Sequence, residues 1–119
     1  MADGNFFTNV MRQPPASVEA EQAMLGALLV NNKAWPMIED IVEPIHFSMP
    51  VYGRVFEICQ KLINSGREAS PVTVMPHLEG DDTLGRNKAG EVLAQLLKAM
   101  VGIMNARDYA VVIRDAWLR

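Results

Sequence analysis

The sequence predicts an all-α fold, a compact bundle of about six helices. Three observations carry that expectation. Apolar residues recur with a period near 3.6, and no segment alternates for long in the manner of a strand. Proline, glycine and asparagine cut the chain into pieces of helical length. Of the 119 residues, 50% are apolar, which suffices for one core, and the length does not accommodate two ordinary domains.

Residues 1–14 contain Phe6, Phe7 and Val10 among Gly, Asn and Thr without a helical period, and read as a flexible tail. Pro14 and Pro15 stop any helix arriving from that side. The first helix is expected to start at Ser17, whose hydroxyl suits an N-cap, with Glu19 and Glu21 placing negative charge at the positive end of the helix dipole. Val18, Leu25, Leu28 and Leu29 share one side, with Met24 beside them, while Ala23, Gly26 and Ala27 form a strip of small residues. A mid-helix glycine costs about 1 kcal/mol relative to alanine, so close approach of another helix is the expected compensation at Gly26. Asn31 and Asn32 end this segment.

A short second helix over 34–42 takes Pro36 in its first turn and closes at Glu43 and Pro44. Beyond the linker Ile45-His46-Phe47, Ser48 is the expected N-cap of a third helix over 49–64. Val51, Tyr52, Val55, Phe56, Ile58, Cys59, Leu62 and Ile63 give it a wide apolar stripe, which predicts a central position. Ser65-Gly66 is its stop. Thr73 is the expected N-cap of a short fourth helix over 74–78, with Pro76 limiting how early it begins. A polar turn over 79–83 and a loop over 85–87 follow. The fifth helix, over 90–100, should bury Val92, Leu93, Leu96, Leu97 and Met100. After a break near Gly102, a sixth helix starts at or near Asn105 and reaches Arg119 without a stop signal, which points to a piece of a longer protein.

Charge and composition exclude several classes. Net charge is -3, sequence pI about 5.3, and the basic residues are scattered, unlike a domain built to grip phosphates. A single cysteine, Cys59, rules out a disulfide within the chain and suits a reducing compartment. No signal peptide is visible, and the longest apolar run, 23–30, is far short of the roughly 20 residues that span a bilayer. A soluble, cytoplasmic protein without membrane association is expected.

Phosphate-binding loops of the G-x-x-x-x-G-K-[ST] and G-x-G-x-x-G kinds are absent, as are H-E-x-x-H and the G-x-S-x-G elbow. Catalytic, cofactor-binding and metal residues are therefore all expected to be none in this chain. Cys59 lies on an apolar stripe and reads as an inert core thiol. His46 and His77 have no partners at ligand spacing. Asp81-Asp82 reads as a solvated turn, since no further carboxylates stand at loop spacing. Glu57 with Lys61, and Asp115 with Arg119, read as surface pairs at i,i+4.

The last helix carries the candidate site. Tyr109, Val112, Ile113, Ala116 and Trp117 form a face at i, i+3, i+4, i+7 and i+8, with Arg107, Asp108, Arg114 and Asp115 off it. Two readings stand: the face packs on the domain's own core, or its outer turns meet a partner, for which Trp and Tyr are suited. On the second, charge at Ile113 or Trp117 impairs self-association while the globule stays folded.

Three blocks resemble the N-terminal domain of DnaB-like bacterial replicative helicases. The first is Pro14-Pro15-Ala16-Ser17-Val18-Glu19-Ala20-Glu21-Gln22-Ala23-Met24-Leu25-Gly26. The second is Phe47-Ser48-Met49-Pro50 followed by Val55-Phe56, with His46 where the family usually has Asp. The third is Asn105, Tyr109-Ala110, Val112-Ile113 and Arg114. The resemblance covers about residues 14–119 and is weakest in the middle, where Pro76 and Gly80 interrupt a usually longer helix, Ala89-Gly90 replaces Gly-Gly, and Val92 replaces an aromatic.

That resemblance implies a helical head over 15–101 and, over 102–119, the truncated start of a helical hairpin used for oligomerisation. It implies an assembly and primase-docking role in a hexameric helicase that unwinds DNA at the replication fork. Implied partners are further copies of the chain in a dimer-based collar, primase, a helicase loader, and single-stranded DNA through the complete ring. ATP and Mg would belong to a RecA-like motor that this chain lacks. The alternative is a stand-alone helical adaptor, or the helicase-binding domain of a primase or replication accessory protein.

Overall fold

Helix α1 (Pro15–Val30) is covered on almost every side. Ala20, Met24, Leu25, Ala27, Leu28 and Leu29 are all buried. A helix with apolar residues all round its circumference belongs in the middle of a bundle. The computed structural model describes residues 15–100 and 102–119; the tail expected over 1–14 lies outside them. The described residues form six α-helices and three short 3-10 turns, with no strand among them.

After α1 come a 3-10 turn (Asn32–Ala34), the one-turn helix α2 (Trp35–Ile38), and a second 3-10 turn (Pro44–His46). Helices α3 (Pro50–Asn64), α4 (Pro71–Leu78), α5 (Ala89–Ala99) and α6 (Ala106–Leu118) follow, with a third 3-10 turn (Asp82–Leu84) before α5. α1 packs most extensively against α6 and α5, then α3. The central place predicted for α3 thus belongs to α1. The reason is size: Ala20, Ala23, Gly26 and Ala27 let neighbours approach from several directions, whereas the bulky stripe of α3 faces one way.

Gly26 shows that approach directly. A Cβ built there would lie 2.2 Å from the backbone oxygen of Leu96 and 3.0 Å from Met100 Cβ. The close helix contact expected at this glycine is with α5. Val92, Leu93 and Leu96 are buried as predicted, while Leu97 and Met100 are half-buried at the helix end. Trp35, Phe47 and Phe56 form an aromatic cluster, with ring centroids 5.4 Å (Trp35–Phe56) and 5.2 Å (Phe47–Phe56) apart.

Three expected N-caps are corrected. α1 begins at Pro15, so Ser17 lies inside it, buried, and donates to the Glu21 carboxylate at 3.1 Å. The residue before α3 is Met49, and the Ser48 hydroxyl also donates to Glu21, at 2.7 Å. α4 is capped by Ser70, not Thr73: the Ser70 N–H donates to Thr73 Oγ1 at 2.8 Å, and the Thr73 N–H donates to Ser70 Oγ at 3.3 Å. Pro71 occupies the first position of that helix, where its missing amide does no harm. Pro76 is inside α4; the amide it lacks would have met Val72, which is 81% exposed, on the side where losing a backbone bond costs least.

Asn32 ties the end of α1 to the approach to α4. Its side chain donates to the carbonyls of Leu28 (2.9 Å) and Ala69 (2.8 Å) and accepts from the Ala69 N–H (2.9 Å). No helix among the described residues is long and apolar enough to cross a membrane.

Candidate functional site

α6 packs against α1, and its side chains divide into two stripes. Ala106, Ala110 and Ile113 are fully buried. Trp117 continues that line four residues after Ile113, one helical turn on. It is 47% exposed, and its ring meets that of His46 at a tilt of 48° with centroids 4.7 Å apart. Tyr109, Val112 and Ala116 form the second stripe. Tyr109 and Ala116 are half-buried and Val112 is 40% exposed. Leu118, 64% exposed, closes the helix.

The five residues read as one face therefore play two parts. Ile113 lies in the chain's own core, and the other four reach its surface. A charge at Ile113 would be placed inside the bundle, so the expectation that such a variant stays folded is corrected. Trp117 remains a position where charge leaves the core untouched.

One flank of α6 is anchored. On one side Arg107 lies 3.7 Å from Asp40 and donates to the carbonyl of Met37 at 3.4 Å, an exposed contact of small energetic weight. Near the C-terminal end, His46 is held by the Glu43 N–H, which donates to its Nδ1 at 3.1 Å. On the other flank, an open groove of about 540 Å³ runs between α1, α5 and α6. Ala20, Ala23, Ala99, Tyr109 and Val112 line it together with the polar Glu19 and Gln22.

Residues with other chemical possibilities have structural duties. Cys59 is fully buried, and burial pushes its thiol up to about 12. Asp81 accepts from the Thr83 hydroxyl, from the Thr83 N–H at 3.0 Å and from Arg54 Nε at 2.8 Å. The Thr83 hydroxyl, then Arg54, hold its carboxyl below the ordinary value of 3.8. Arg54 also meets Glu57 at 3.0 Å, and Lys61 approaches Glu57 at 3.8 Å. Asp115 pairs with its neighbour Arg114 at 3.4 Å rather than with Arg119.

The residue that the dipole argument misplaced is Glu21. It is fully buried, the seventh residue of α1, and its carboxylate accepts from Ser17, from the Ser48 N–H and hydroxyl, and from the Met49 N–H. The signal was available: Glu21 stands four residues before Leu25 and seven before Leu28, on the apolar side of its helix.

Comparison with known proteins bears on this helix-flanked surface. The family model described as "DnaB-like helicase N terminal domain" matches residues 13–115. The replicative DNA helicase DnaB of Rickettsia conorii is 29% identical over 115 residues, 97% of this chain and 23% of that protein. That of Pasteurella multocida is 28% identical over 103 residues, 86% of this chain and 22% of that protein. The chain thus spans about a quarter of the length of these relatives. Among solved structures, the N-terminal domain of DnaB helicase from Mycobacterium tuberculosis superposes with a TM-score of 0.77 at 28% identity, covering 89% of this chain and 77% of that one. With the matching model spanning most of its length, and the helical fold shared, this chain belongs to the DnaB-like helicase N-terminal domain family.

Proposed function

We propose that this chain is the N-terminal assembly and primase-docking domain of a hexameric replicative DNA helicase working in the cytoplasm. The observation that carries the assembly role is the apolar surface along α6, where Val112, at mid-helix, is 40% exposed and Trp117 and Leu118, at its end, are 47% and 64% exposed. An aromatic ring with adjacent aliphatic side chains on a well-anchored helix suits the buried centre of an interface. Burying those side chains between copies would orient motor domains around single-stranded DNA. In the complete protein a separate motor would bind ATP and Mg²⁺ and drive unwinding; primase and a loader would dock on the collar. The chain itself contributes binding surface rather than catalytic groups.

Light scattering across a wide concentration range tests this, on a longer protein carrying the domain and on its Trp117→Glu variant. The expected result is a dimer-based oligomer that loses mass in the variant, with the helical spectrum retained. An oligomer of unchanged size in a folded Trp117→Glu protein removes the assignment of this surface.

A further inference from the structure

The basic residues are scattered along the sequence, yet four of them, Arg54, Lys61, Arg67 and His77, line one pocket of about 270 Å³ that opens to solvent. α3 supplies Arg54 and Lys61, the turn after it supplies Ser65 and Arg67, and the last turn of α4 supplies His77. The buried Ile58 and Leu62 complete the lining, and no carboxylate is part of it. In a chain of net charge -3 this is a local reversal of sign.

Two carboxylates touch the lining side chains. Arg54 meets Asp81 at 2.8 Å and Glu57 at 3.0 Å, and its guanidinium has further N–H groups beyond the two so engaged. Glu57 also lies 3.8 Å from Lys61, whose side chain is 71% exposed, a contact of small weight. Neither Arg67 nor His77 forms an ion pair with a described residue. The end of α3 does not need these cations either. The Ser65 N–H donates to the carbonyls of Lys61 and Leu62, the Gly66 N–H to Ile63 and the Arg67 N–H to Leu62. Backbone amides thereby close the last turn, and the charged ends of Lys61 and Arg67 are left for an outside acceptor.

We propose that this pocket holds a backbone phosphate of a nucleic-acid strand. Ammonium and guanidinium donors from separate segments suit the several oxygens of a phosphate, and the His77 imidazole carries an N–H even when neutral. Size selects one group of a longer molecule. Sites for complete small molecules run to roughly 300–1,000 Å³, and this one is smaller. Surface chemistry selects a nucleic acid over an acidic protein. A protein interface has an apolar centre with aromatic anchors, and none of the exposed large apolar side chains, Val72 of α4 included, lines this pocket. Contacts to phosphate carry no base information, so the binding is independent of sequence. It goes beyond self-association through α6, which contributes no residue here.

Amide spectra of the 119-residue chain during titration with a short oligothymidylate, at low and at moderate salt, test the proposal. Shifts should concentrate at Lys61, Ser65, Arg67 and His77. Log affinity should fall against log salt with a slope of about -1.4 to -2.1, as for two or three phosphate contacts on a single strand. Lys61→Ala/Arg67→Ala removes two exposed cations that the bundle does not use, so its helical spectrum should be kept. Binding should weaken about tenfold and the slope flatten by about 1.4. Unchanged affinity in the folded variant, or shifts centred elsewhere on the chain, would overturn the proposal. Inorganic phosphate giving the same shifts at the same concentration would overturn it in favour of a free anion. A poly-glutamate peptide that matches the oligonucleotide would overturn it in favour of an acidic protein partner.

Discussion

The carboxylate of Glu21 accepts hydrogen bonds from both the backbone N–H of Ser48, at 2.9 Å, and its hydroxyl, at 2.7 Å. One buried side chain of α1 thereby satisfies the backbone and side chain of the residue that leads into α3, and the Met49 N–H adds a longer contact at 3.4 Å. Donors at the start of a helix have no partner within it, and a negative charge there is favoured by the helix dipole. Glu21 does for α3 what a local cap would do, from a distance of 27 residues in sequence.

Replacing Glu21 with alanine strands those donors and opens a void. A loss of about 2–3 kcal/mol is expected, because unsatisfied buried polar groups carry most of the cost. Urea denaturation should show a lower midpoint at unchanged slope. A loss below roughly 0.5 kcal/mol would mean that water replaces the carboxylate without penalty. Ser48→Ala should lose less than Glu21→Ala, since the Ser48 N–H keeps its acceptor.

Gly26→Ala is expected to destabilise, against helix propensity. Alanine in a helix interior is favoured by about 1 kcal/mol. Its methyl, however, would stand 2.2 Å from a backbone oxygen of Leu96, and α5 would have to shift. Overpacking of this kind costs about 1–3 kcal/mol, with backbone rather than a flexible side chain in the way. A higher melting temperature in the variant would show that α5 yields freely.

Ile113→Glu and Trp117→Glu should separate cleanly. Ile113 is fully buried, and an unpaired charge there should cost more than about 4 kcal/mol. Trp117→Glu should melt within about 1 kcal/mol of the parent chain, its main loss being the tilted ring contact with His46. Circular dichroism melts of the two variants side by side provide the comparison. Equal melting of both would contradict the division of α6 into two stripes.

Asp81→Asn should cost stability only above the acid range. The folded carboxyl is held below its ordinary value of 3.8, chiefly by the Thr83 hydroxyl and then by Arg54. A group whose pKa is depressed on folding contributes stability above its unfolded value and loses it as pH falls through the folded value. The gap between parent and variant should stay level from neutral pH down to about 5 and close below about 4. A gap independent of pH would assign the stabilisation to geometry alone.

Cys59 should resist thiol reagents in the folded chain. Burial pushes it up to about 12, so at pH 8 it is protonated as well as enclosed. Labelling by an aromatic disulfide reagent should follow urea concentration in step with unfolding. Fast labelling in buffer would reveal local opening of α3.

Helix positions were largely legible in the sequence. The third and fifth helices lie within one residue of expectation, and Gly26 announced a close helix contact before its partner was known. The caps were less legible. Ser17, Ser48 and Thr73 are all good capping residues by type, but two of their hydroxyls are taken by Glu21, and Thr73 serves as the third residue of a reciprocal cap with Ser70. Polar side chains choose partners from whatever the fold brings near, and local propensity does not include that choice. The face of α6 was visible as apolar but not as divided. Periodicity gives the direction of each side chain about the helix axis, and Ile113 and Trp117 point almost the same way.

The sequence by itself determined the number and order of the helices, the extent of the third and fifth (the second, expected over 34–42, is the single turn Trp35–Ile38, and the fourth begins three residues early at Pro71), the single core, and membership of a family, because these follow from spacing along the chain and from residue type. Only the tertiary structure decided which polar group is buried, which helix occupies the centre, and where the covered part of α6 ends. Those outcomes depend on pairs far apart in sequence: Glu21 with Ser48, Gly26 with Leu96, His46 with Trp117. Each pair is a meeting of two surfaces, and whether they meet depends on how the helices stack, which no single segment encodes.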